Sequence, residues 1–169
     1  CQTDVHDFWS AYFYLHFYTV NTAKLSENVW KEAEKMLEQI QKYPQKEEYQ
    51  KLVEADRINL YEREAEKGDD RKFLEETDRV LKENLKGDPA WKLYERKLVY
   101  LESKQPDISR EFERFLKKYP KVMDAYVEYS IYLCRNNKMT QAQRVYREGR
   151  KQTGMTSKRA EELRRKLGL

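Results

Sequence analysis

The sequence predicts an all-α fold, and three observations predict it. Apolar residues recur three and four positions apart along most of the chain. Breakers are scarce, with Gly 5 and Pro 4 in 169 residues, and they fall mainly between the periodic stretches. Aromatics reach 13% although 38% of the residues are charged. That excludes the aromatic-poor composition of a disordered chain and describes amphipathic helices with solvated outer faces.

The first helix is expected over 7–20, where Phe8, Trp9, Tyr12, Phe13, Leu15 and Phe17 crowd together. A second over 27–42 repeats Val29, Trp30, Ala33, Met36, Leu37 and Ile40. A third over 46–67 carries Tyr49, Leu52, Val53, Ile58 and Leu60, and a fourth over 70–86 carries Phe73, Leu74, Val80, Leu81 and Leu85. Helices are then expected over 89–103, 107–118, 123–136 and 139–152, with a polar tail helix over 156–167. Pro44, Pro89, Pro106 and Pro120 fall between these stretches, where a missing N–H costs least. Gly68-Asp69 and Gly87-Asp88 read as a C-cap followed by an N-cap, and Asn136-Asn137 as a turn. The result is one helical-repeat domain, 1–169, with antiparallel pairs over 7–44, 45–87, 88–120 and 121–153.

An internal repeat runs through these pairs. Helices open on Trp9-x2-Tyr12, Trp91-x2-Tyr94 and Tyr126-x2-Tyr129, and less clearly on Tyr49-x2-Leu52, at a period of about 35–42 residues. Lys42-Tyr43-Pro44 matches Lys118-Tyr119-Pro120 at the end of partner helices. A flat ring near the start of the first helix fills the gap to its partner, and a second aromatic one turn on meets the neighbouring unit. A hairpin cannot bury its stripe alone, so the units are expected to stack into an α-solenoid of about four hairpins plus the C-terminal helix.

Ala90-Trp91-Lys92-Leu93-Tyr94-Glu95 with Arg110-Glu111-Phe112-Glu113-Arg114-Phe115, and Ala125-Tyr126-Val127-Glu128-Tyr129 with Ala142-Gln143-Arg144-Val145-Tyr146-Arg147-Glu148, carry a further likeness. This pattern resembles the half-a-TPR (HAT) repeat, best over 88–152 and least over 45–87. It departs at Ala142-Gln143-Arg144, where Ala-Arg is usual, and at Tyr126 in place of Trp. The resemblance is to RNA-processing scaffolds of the crooked-neck and cleavage stimulation factor large-subunit type. It implies a nuclear protein–protein scaffold in RNA maturation, while a tetratricopeptide-like adaptor in the cytoplasm is the competing assignment.

With 34 basic and 30 acidic residues, net charge gives no argument for a nucleic-acid partner. His6 and His16 have no metal-ligand spacing, and no Gly-rich phosphate loop or nucleophile motif occurs, so no catalysis and no cofactor are expected. Cys134 reads as an inert buried thiol. Cys1 in place of Met reads as a fragment, or as a processed or engineered start. No apolar run is long enough for a membrane span. The first helix is apolar almost all round, so Phe8, Trp9, Phe13, Tyr14 and Phe17 are candidates for a partner or homodimer interface. Burial beneath another helix explains them equally well. Lys92, Arg96 and Arg135 are candidates for holding an acidic peptide in an inner groove. Lys158, Arg159, Arg164, Arg165 and Lys166 form a basic tail, read as a solvated helix end in preference to a direct RNA contact.

Overall fold

The structure, a computed structural model, describes residues 8–20, 27–43, 47–82, 87–154 and 157–169. Cys1, His6, Pro44 and Leu85 lie outside the described residues, as do the side chains of Trp30 and Tyr49. Among the described residues there is no strand. The helices are α1 (Phe8–Val20), α2 (Glu27–Ile40), α3 (Glu47–Glu66), α4 (Arg71–Lys82), α5 (Gly87–Glu102), α6 (Ser109–Lys118), α7 (Met123–Arg135), α8 (Met139–Thr153) and α9 (Lys158–Lys166). The chain divides into two compact units, Cys1–Glu76 and Thr77–Leu169.

In the first unit α1, α2 and α3 pack on one another. Ala33, Met36, Leu37 and Ile40 recur at helical spacing on α2 and meet Ala11, Tyr12 and Leu15 of α1 and Val53 and Leu60 of α3. Burying a Leu or Ile in this way is worth about 1.5–3 kcal/mol each. Gly68, at φ 113, closes the turn after α3 in a conformation that a residue with a Cβ resists.

The second unit is held by aromatic seams between successive helices. Trp91 of α5 meets Phe115 of α6 edge-on, with ring centres 5.2 Å apart, and Tyr94 stacks on the same ring. Phe112 of α6 stacks on Tyr129 of α7 at 4.8 Å. Tyr126 packs against Gly149 of α8, where a Cβ would lie only 2.5 Å from the Tyr126 ring. Tyr126 thus meets α8 and Tyr129 meets α6, whereas Tyr94 falls on the same α6 ring as Trp91 and not on a neighbouring pair as expected. Asn137, at φ 59, makes the turn between α7 and α8, and Gly154, at φ 62, ends α8.

Two expectations change here. Gly87-Asp88 opens α5 instead of preceding it, because Pro89 then falls in the first turn, where its missing N–H is no loss. The tail helix is docked as well as solvated. Ser157 caps α9 by accepting from Ala160 N–H at 3.1 Å. Ala160, Leu163 and Leu167 are buried. The Tyr146 hydroxyl donates to the Ala160 carbonyl at 2.9 Å.

Candidate functional site

The ambiguity of α1 resolves into two faces. Ala11, Tyr12, Leu15 and Thr19 are buried toward α2 and α3, and Phe8 and Tyr18 flank that core partly covered. The opposite face leaves Trp9 43%, Phe13 63%, Tyr14 38%, Phe17 54% and Val20 58% exposed. Trp9, Phe13, Phe17 and Val20 follow each other at intervals of four, four and three, a continuous helical stripe. The Trp9 ring leans on Phe8, Tyr12 and Phe13 of its own helix.

A polar lock fixes which face turns outward. Asp56 of α3 is 2% exposed, and a buried carboxylate is costly without hydrogen-bond partners. Thr19 Oγ1 donates to Asp56 Oδ1 at 2.8 Å, and His16 Nδ1 lies 3.1 Å from both Asp56 oxygens. Tyr12 stacks on the His16 ring. These contacts tie α1 to α3 in one rotational setting. Four residues further along α3 from Asp56, Leu60 belongs to the same packed face.

The second unit contains a buried ionic knot. Lys97, only 4% exposed, donates to Asp78 Oδ1 at 2.6 Å and to Glu111 Oε2 at 2.7 Å. The Tyr94 hydroxyl donates to the same Glu111 oxygen at 2.7 Å, and Arg114 donates to Oε1 at 2.9 Å. Burial alone would raise the Glu111 carboxyl, but hydrogen bonds from Lys97, Tyr94 and Arg114 outweigh it and hold it at about 2. Burial, then the bond to Glu111, pushes the Tyr94 hydroxyl well above its ordinary value. This chemistry joins α5 to α6 and is structural.

The basic candidates separate. Lys92 is exposed and Arg96 half-buried, both on α5. Arg135 is exposed and pairs with Glu102 at 3.1 Å. In the tail, Arg159 pairs with Glu128, and Arg164 pairs with Glu161 at 2.9 Å. Lys158, Arg165 and Lys166 face solvent. Arg135, Arg159 and Lys166, drawn from both groups, line one cavity together, whereas Lys92 and Arg96 lie outside it. Cys134 is half-buried, more open than its apolar neighbours suggest, and burial still pushes its thiol up.

Among the described residues no cluster of His, Cys, Asp and Glu could hold a metal ion, and no helix is long and apolar enough to cross a membrane. Sequence reasoning missed Val20 as part of the exposed stripe and missed Asp56 as the partner of His16. No protein-family model, curated protein or solved structure matches the chain.

Proposed function

We propose that this chain is a non-catalytic helical-repeat scaffold whose role is protein–protein assembly, with the outer face of α1 as its docking surface. The observation that carries the reading is the exposed stripe of Trp9, Phe13, Phe17 and Val20 beside Tyr14. With half of each ring open, the patch offers on the order of 500 Å² of apolar area. That is the size of the largest and often functional patch on a monomer, and more than half of what one partner gives to a standard interface.

The occupant that this face fits is a second copy of the chain. α1 carries no Asp, Glu, Lys or Arg, so two copies can meet about a twofold axis without like-charge repulsion. The aromatic-sealed pairs in the second unit support the further proposal of stacked hairpins forming a solenoid. The likeness to HAT repeats supports a place in an RNA-processing or ribonucleoprotein complex, in the nucleus, with RNA reached through protein partners.

Sedimentation velocity at two concentrations tests the reading. The wild-type chain should shift toward a dimer as concentration rises, and Phe13→Glu/Phe17→Glu should stay monomeric with an unchanged circular dichroism spectrum. A wild-type chain that remains monomeric at the higher concentration would sink it.

A further inference from the structure

In the other unit a groove runs between α7 and α9. We propose that this groove binds a short acidic peptide segment carrying an aliphatic side chain.

The groove holds a cavity of about 320 Å³, at the lower end of ligand-site volumes and enough for one or two aliphatic side chains. Its floor is apolar. Ile131 comes from α7, Leu163 from α9, and Met139, 47% exposed, from the start of α8. Arg135, Arg159 and Lys166 stand around that floor, against a single lining carboxylate, Glu162. Helical spacing explains the convergence. Ile131 and Arg135 are one turn apart on α7, and Arg159, Leu163 and Lys166 follow at four and three on α9. Helix C-termini favour cations at Arg135 and Lys166, but that preference does not explain three cations around one apolar floor.

The cations remain available to a ligand. Lys166 has no acidic partner among the described residues. Arg135 and Glu102 form a pair with side chains 57% and 35% exposed, and such surface pairs are worth about 0–1 kcal/mol. An incoming carboxylate can engage the Arg135 guanidinium through two parallel hydrogen bonds at little loss. Arg159 is already held by Glu128, so it frames the site while Arg135 and Lys166 do most of the recognition. A peptide fits better than a phosphate backbone. Phosphates would gain nothing from Met139 and Leu163 on the groove floor.

The test uses the whole chain and a fluorescein-labelled probe, Asp-Leu-Glu-Leu with a free terminal carboxylate, followed by fluorescence anisotropy. Saturable binding is expected. Lys166→Glu and Arg135→Glu should each weaken it about tenfold or more, while Lys35→Glu on α2 leaves it unchanged. Both site residues are exposed, so these variants keep the wild-type circular dichroism spectrum. Replacing the probe's Asp and Glu by Asn and Gln with an amidated terminus, or its Leu by Ser, should abolish binding. The proposal is overturned by no saturable binding, by equal binding of the amidated probe, or by a short uridine oligonucleotide that binds more tightly than the peptide.

Discussion

Gly149→Ala sets two effects of opposite sign against each other. In an open helix interior, Gly to Ala stabilises by about 0.8–1 kcal/mol, because Ala loses less backbone freedom on folding. Here the added methyl would sit 2.5 Å from Tyr126 Cγ and 2.6 Å from its Cβ, more than 1 Å inside ordinary carbon–carbon contact. Overpacking of this kind costs about 1–3 kcal/mol. The obstruction is the root of a buried ring, not the end of a flexible chain, so relief requires α7 and α8 to separate. The net result should be a loss of up to about 2 kcal/mol, read as a lower urea midpoint at constant slope. In a Tyr126→Ala background, where most of the ring is gone, the same substitution should turn neutral or stabilising. A gain of about 1 kcal/mol for Gly149→Ala alone would refute the close approach of the two helices.

Three further outcomes follow from the buried polar groups. Glu111 titrates at about 2 in the folded chain against its ordinary 4.5, so its contribution is complete above about pH 4.5 and is lost as pH falls through 2. Its side chain is 19% exposed, and the shift corresponds to roughly 3 kcal/mol. Glu111→Gln should therefore flatten that acid limb in thermal melts, and an unchanged limb would contradict the assignment. Lys97→Met removes the buried cation between Asp78 and Glu111, leaving them only the more exposed Arg114, and should cost about 3 kcal/mol in chemical denaturation, whereas a neutral result would mean that the knot is not buried. Thr19→Val removes a donor from the buried Asp56 and should cost about 1–3 kcal/mol, and hydrogen exchange should show α1 opening first.

The helix boundaries were legible because spacing and breakers are local. Met123–Arg135 and Met139–Thr153 fall within a residue of the expected spans, with Asn137 at the turn between them. The rings that form the Tyr126 and Tyr129 seams could be picked out by spacing, but not every partner could, since Tyr94 shares the Phe115 ring with Trp91. The outward face of α1 could not be read. Nearly every position there is apolar or aromatic, so periodicity offers no contrast, and the choice is made by Asp56, 37 residues from Thr19 and 40 from His16. Nothing local in the sequence marks Lys97 as buried, because Asp78 and Glu111 meet it only through packing. The meeting of Arg135 with Arg159 and Lys166 likewise depends on how α9 docks on α7, which its sparse apolar content leaves open.

Hydroxyl-radical footprinting at low and high protein concentration shows whether the outer face of α1 is an assembly surface. Trp9, Tyr14, Phe13 and Phe17 should lose reactivity several-fold as concentration rises, while Met139, exposed in the other unit, keeps its own. Unchanged reactivity at those four rings, with or without protection elsewhere, would contradict it.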